Sequence, residues 1–161
     1  MELRFKPRGV IEIDDARIIF RNFSGRGTQF NNEGNRNFSV VIPSEDIKDA
    51  LVNDTNEYGV GWNVKIKAPR NADEGPFMHL PVKVSYKGRG PKVYLVSGGR
   101  TCELTEENIG MLDEIDIRSC NLDIRPYDDV IRGEAFRSAY LQSIEVIQEI
   151  DRFAARYAEE E

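Results

Sequence analysis

The stretch Arg17-Ile-Ile-Phe-Arg-Asn-Phe-Ser-Gly25-Arg-Gly-Thr-Gln-Phe30-Asn-Asn-Glu-Gly-Asn-Arg36-Asn-Phe-Ser-Val-Val-Ile42 decides how this chain reads. Two runs with strand alternation enclose a polar loop. Ile18 and Phe20 share one phase of the first run, and Phe38, Val40 and Ile42 share one phase of the second, which predicts that these five face a core. Residues 24–35 between them hold three glycines and three asparagines, a loop composition. The triplet Arg-Asn-Phe stands at both ends of that loop, at 21–23 and 36–38. Arginine and phenylalanine interleaved with asparagine suit a surface that meets both phosphates and bases.

Short strands continue on either side. Leu3 to Ile13 is extended but broken at Pro7–Gly9, which makes it an edge strand or an arm, and Asp14-Asp15 reads as a turn. Ser44, followed by Glu45 and Asp46, caps a short helix, because the two acids favour its positive end. Trp62, Val64 and Ile66 share a phase, as do Leu80, Val82, Val84 and Tyr86, so 62–67 and 80–87 are expected to face each other as a hairpin. Gly88-Arg-Gly-Pro91 turns into a strand at Lys92–Ser97. Thr105 begins a short helical stretch, Ile115–Tyr127 is extended with a bulge near Ser119–Asn121, and Ser138–Ile147 is the last strand. Ile147, Ile150, Phe153, Ala154 and Tyr157 then recur at helical spacing before the acidic tip Glu159–Glu161.

No βαβ alternation runs through this order, which argues against a parallel α/β sheet. The expected fold is mainly β. It is an OB-fold-like antiparallel barrel over residues 1–147, with a short helix near residue 45, and 148–161 forms a C-terminal amphipathic helix and tip; a sandwich is the second choice.

The length of 161 residues suits one domain with a real core. No apolar run reaches the length of a membrane span, and the first residues lack the apolar region of a signal peptide. Cys102 and Cys120 are too few for a disulfide framework, which fits reduced thiols in a cytosol-like compartment. Net charge is −6, yet it is unevenly spread. Residues 63–101 carry eight bases and two acids, whereas 102–161 carry six bases and sixteen acids. Local fields rather than the net sum steer a charged ligand.

The candidate site follows from that segregation. Lys65, Lys67, Lys83 and Lys87 gather on the outer face of the expected hairpin, Arg89 and Lys92 extend the patch, and Arg70 lies in the connecting loop. Like charges on neighbouring strands repel, and a polyanion relieves that repulsion while releasing counterions. Phe23 and Phe30 lie on the polar loop, where each would either stack on bases or fold back as a lid on the barrel; Arg21, Arg26 and Arg36 line the same loop, and Tyr94 shares a face with Lys92. Trp62 belongs with the core phase. His79 stands alone among histidines, and with Cys102 and Cys120 it lacks zinc-ligand spacing, so no metal or cofactor is expected. Asp113, Asp116, Asp123, Asp128 and Asp129 keep a Mg²⁺-dependent nuclease as an alternative. A protein–protein module using the acidic C-terminal helix and an apolar patch is another.

Several motifs, taken together, resemble a family of small bacteriophage-encoded single-stranded-DNA-binding proteins. They are Phe20-Arg-Asn-Phe-Ser-Gly25, Phe30-Asn, Gly34-Asn-Arg-Asn-Phe38, Gly61-Trp-Asn-Val-Lys65, Leu80-Pro-Val-Lys-Val84, Asp123-Ile-Arg-Pro-Tyr127 and Ala139-Tyr-Leu141. The resemblance spans roughly residues 15–147. It implies a non-enzymatic OB-type barrel that coats single-stranded DNA during phage replication or recombination in the host cytoplasm. The implied partners are the DNA, a second copy in a dimer, and replication or recombination proteins; no membrane is implied. The chain departs from many such proteins in ending Tyr157-Ala-Glu-Glu-Glu161, without the terminal phenylalanine through which they recruit partners.

Overall fold

The computed structural model describes residues 1–150 and Phe153. Ten strands and one α-helix follow in chain order: β1 (Glu2–Phe5), β2 (Ile11–Ala16), β3 (Ile18–Asn22), β4 (Arg36–Val41), α1 (Glu45–Val52), β5 (Lys65–Lys67), β6 (Phe77–Val84), β7 (Lys92–Ser97), β8 (Arg100–Leu104), β9 (Ile117–Ile131) and β10 (Glu134–Gln148). The expected C-terminal helix and acidic tip lie outside the described residues, Phe153 excepted.

One sheet takes in all ten strands, in the order β1-β2-β9-β10-β6-β4-β3, with β5 beside β6, and β7 and β8 continuing from β10. Its end strands do not pair. The chain itself joins the two flanks, because only Arg17 separates β2 from β3. Ala16 pairs with Cys120 of β9, while Ile18 pairs with Val40 of β4. The sheet therefore curls into a mainly β, OB-fold-like barrel that is not closed.

Two expectations about pairing need correction. The barrel is not wholly antiparallel: β6 and β7 both run parallel to β10, end to end along its one edge. Residues 85–91 are therefore a break in one line of strand rather than the turn of a hairpin. The second concerns 62–67 and 80–87. Only Lys65–Lys67 is strand, and it pairs with Phe77–His79 on the edge of β6 that β10 takes up at Val82–Lys83, while the opposite edge carries β4 from His79 to Val84. Ile66 is consequently exposed, while Trp62 is buried as expected. Asp14-Asp15, expected as a turn, continues β2 through a bulge with Asp15 at φ 54°. The bulge near Ser119 is present: the register against β10 shifts between Ile117 and Ser119.

Local chemistry explains α1. Ser44 Oγ accepts the Ile47 N–H, Glu45 and Asp46 occupy the first turn, and Leu51 packs into the core. Inside the barrel, Phe23 and Phe38 stack with ring centroids 5.0 Å apart. Phe23 is wholly buried, against the expectation of a loop residue free to stack on a base. Its backbone N–H and that of Ser24 donate to the Asp113 carboxylate at 2.7 and 3.1 Å, and Arg36 donates to its carbonyl at 2.7 Å. That anchorage turns the ring inward.

A second anchor fixes residues 54–62. The Arg137 guanidinium is 7 % exposed and grips both carboxylate oxygens of Asp128, at 2.8 and 3.0 Å. It also donates to the Asp54 carbonyl and lies over the Trp62 ring. Trp62 Nε1–H in turn donates to Asp54 at 2.8 Å. Such a cluster is destabilised strongly by losing one partner, because a charge is then left uncompensated.

Two outcomes follow. Phe23→Ala lowers stability by about 3–5 kcal/mol, read from the urea midpoint. Arg137→Ala lowers it by about 3 kcal/mol. Arg137 holds the Asp128 carboxyl below its ordinary value. The pair's contribution is therefore present above the unfolded-state value of about 4 and is lost as pH falls through the lower folded value. Urea midpoints measured from neutral to acid pH should show that loss in the wild type and a smaller one in Arg137→Ala.

Candidate nucleic-acid interface

Alternation along β6 sends Met78, Leu80, Val82 and Val84 into the core, which leaves Phe77, His79, Pro81 and Lys83 on the opposite face. Register then extends that face sideways. Lys65 lies opposite His79 and Lys67 opposite Phe77. Lys83 lies opposite Tyr140 of β10, which in turn lies opposite Arg125 of β9. Asn37 and Ser39 of β4 pair with Lys83 and Pro81. A continuous surface of rings, amides and cations results.

Its two ends are built alike. At one end the rings of Phe20, Phe77 and His79 meet at centroid distances of 5.3–6.4 Å, and Lys67 Nζ lies 5.8 Å from the Phe20 ring centre. At the other, Tyr140 has Lys83 on its ring at 5.8 Å, Arg125 at 5.5 Å, and Tyr127 edge-on at 5.9 Å. Two open grooves connect these clusters, of about 740 Å³ beside Phe20 and Phe30 and about 650 Å³ beside Lys83, Lys87 and Tyr140. Asn31 and Asn37 line both. Cations held against rings and aligned with grooves can take phosphates while the rings take bases.

Phe20 reaches this surface through a backbone irregularity. Its φ is +53°, in the left-handed region that side chains other than glycine rarely adopt. The register between β3 and β4 shifts between Ile19 and Asn22 at the same place. The bulge reverses the phase that put Phe20 in the core, and the ring is 57 % exposed.

The loop over 24–35 is held by its own asparagines. Asn31 Nδ2 donates to the carbonyls of Arg26, Asn32 and Asn35, and Asn37 Nδ2 donates to Asn31 Oδ1 at 3.0 Å. Phe30 projects from it, 90 % exposed.

The remaining sequence candidates fall into distinct settings. Arg21 donates to the carbonyls of Leu112 and Ile115, both at 2.7 Å, so its guanidinium ties β3 to the turn over 109–113. Arg36 donates to Phe23 and lies over the Tyr86 ring. Arg26 is exposed but paired with Glu114 at 2.8 Å. Lys92 pairs with Glu103 at 3.4 Å, and Tyr94 lies in register between Glu103 and Glu145, a poor setting for phosphate. Lys87, Arg89 and Arg70 are exposed on loops, Lys87 at the mouth of the second groove.

Phe20, Phe77, His79, Arg125, Tyr127 and Tyr140 escaped the sequence reading. Extending the strand at 80–87 back to Phe77 would have shown Phe77, His79, Pro81 and Lys83 in one phase. The aspartates are dispersed. Asp113 binds loop amides, Asp123 accepts from Ser143, Asp128 holds Arg137 and Asp129 accepts from Tyr127. Among the described residues no three His, Cys, Asp or Glu side chains are grouped to hold a metal ion.

Comparison with known proteins bears on the fold and the family. No curated protein sequence matches the chain. Similar solved structures are a C-terminally truncated single-stranded DNA-binding protein from bacteriophage Enc34 (TM-score 0.60, 16% identity, covering 91% of this chain and 90% of that one) and the same protein in complex with ssDNA (TM-score 0.55, 14% identity, 94% and 93%). A further structure of the Enc34 protein gives a TM-score of 0.58 at 12% identity, over 94% and 87%. At these identities the likeness is one of fold. The family model described as "Putative phage ssDNA-binding domain" matches residues 2–160, and the chain belongs to that family.

Proposed function

We propose that this protein binds single-stranded DNA without marked sequence preference, and protects it during phage replication or recombination in the host cytoplasm. The observation that carries the reading is the ring-and-cation surface from Phe20 to Tyr140, in a chain of this family. Lys65, Lys67, Lys83 and Arg125 follow the phosphates, with Lys87, Arg89 and Arg70 at the margins. Phe20, Phe77, Phe30 and Tyr140 offer faces for bases. Phe23 serves the core and has no place in the contact. Arg21 and Arg36 shape the loop through backbone carbonyls, and Lys92 and Tyr94 lie beside acids.

The reading is non-enzymatic and needs no cofactor. It includes assembly as a dimer and contact with replication or recombination proteins. Among the described residues β8 pairs with β7 alone, which offers its other edge to a second chain. Light scattering with and without oligonucleotide reports the assembly state.

Anisotropy of a labelled oligo-dT across a salt series tests the central statement. Binding should weaken as salt rises, and Lys67→Ser should reduce the slope of log K against log salt by about 0.7, the value for one phosphate on a single strand. Phe20→Ala should weaken binding by about 1–3 kcal/mol without lowering the urea midpoint. Absence of binding at low salt, or binding indifferent to salt, overturns the reading. The oligonucleotide should survive incubation with Mg²⁺; cleavage abolished by EDTA would overturn the non-enzymatic part.

A further inference from the structure

His79 is the one histidine of the chain, and it lies on the face just described. Only 8 % of it is exposed. Phe20 stands edge-on to it at 5.3 Å and Phe77 is tilted against it at 5.6 Å. Its Nδ1 and Ser39 Oγ share a hydrogen bond of 2.9 Å. The charged groups facing it are positive: Lys65, directly opposite in the ladder, and Lys67, two residues on along β5. From β3 comes Phe20 and from β4 Ser39, neither of which titrates near neutrality; Lys83 lies four residues on along β6. Burial, and then Lys67 and Lys65, hold the imidazole below its ordinary value.

We propose that Phe20, Phe77, His79, Lys65 and Lys67 form one nucleotide subsite, and that a phosphate arriving there draws a proton from solvent onto His79. The inference rests on the reading above and deepens it. The base lies against the Phe20 and Phe77 rings, and the phosphate sits between the two lysines. Two effects then act on the imidazole. The phosphate cancels the positive field that opposes its protonation, and it adds a negative charge that favours the imidazolium. Protonated His79 attracts the strand in return, because linkage is reciprocal. Affinity therefore rises as pH falls through the bound-state value and levels off below the free-state value.

Oligo-dT suits the test, because neither thymine nor a phosphodiester titrates between about pH 5.5 and 7.5, while histidine does. Anisotropy titrations at constant ionic strength should show wild-type binding about three- to tenfold tighter at the acid end, since one proton taken up gives at most tenfold per pH unit. His79→Gln, which keeps a hydrogen-bonding group toward Ser39, should bind with a flat pH profile.

A second measurement does not depend on that variant folding. The ring C–H resonance of the single histidine is titrated in wild-type protein, free and saturated with oligo-dT. Its midpoint should move up on binding. An unmoved midpoint, or equal pH slopes in wild type and His79→Gln, overturns the subsite while leaving DNA binding in place. Failure to bind oligo-dT at low salt at any pH overturns the broader reading as well.

Discussion

Both edges of β10 are occupied, and most of the molecule depends on that constraint. One edge runs antiparallel along β9 for nearly its whole length. The other carries β6 at Ala139–Tyr140 and β7 at Ser143–Ile147, both parallel. A strand shared in this way must be long, and β10 has 15 residues. It places Tyr140 beside Lys83 on the outer face while Ala139 and Leu141 face inward. The proposed binding surface and the core are thus opposite sides of the same ladder. The register that seals the core also aligns rings and cations outside it.

Much of this was legible because alternation needs nothing beyond neighbouring residues. Phe38, Val40 and Ile42, or Leu80, Val82 and Val84, betray their face by period alone, and Ser44 with two acids after it marks α1. Partners were harder to read. Nothing in Lys65–Lys67 says that β10 takes the same edge of β6 at Val82–Lys83 and leaves β5 the Phe77–His79 end. Parallel pairing of β6 and β7 with β10 leaves no local turn signature, since the contact joins residues about 50 apart in the chain. The site was half visible for the same reason. Its lysines stand out as a charge cluster, whereas the rings that complete it come from β3, β6 and β10 and converge only in the fold. Phe23 shows the converse error. A phenylalanine in a polar loop looks free, but Asp113, 90 residues away in the chain, turns it inward.

An acidic protein can present a basic face because only two of its acids fall within residues 63–101, where eight bases lie. Where acid and base do meet, they do structural work: Arg4 with Glu12 and Asp14 across β1 and β2, and Arg137 with Asp128 between β9 and β10. Lys67 and Lys83 instead lie over the Phe20 and Tyr140 rings, and Lys65 lies opposite His79. Cations gathered in this way repel in the free protein, a modest cost that an anionic ligand removes.

Phe20 carries the sharpest consequence. Its left-handed backbone is a conformation that glycine would adopt with less strain. Glycine there would ease the bulge and delete the ring. Relaxing the backbone at this one position therefore cannot be separated from losing the exposed ring that the bulge presents.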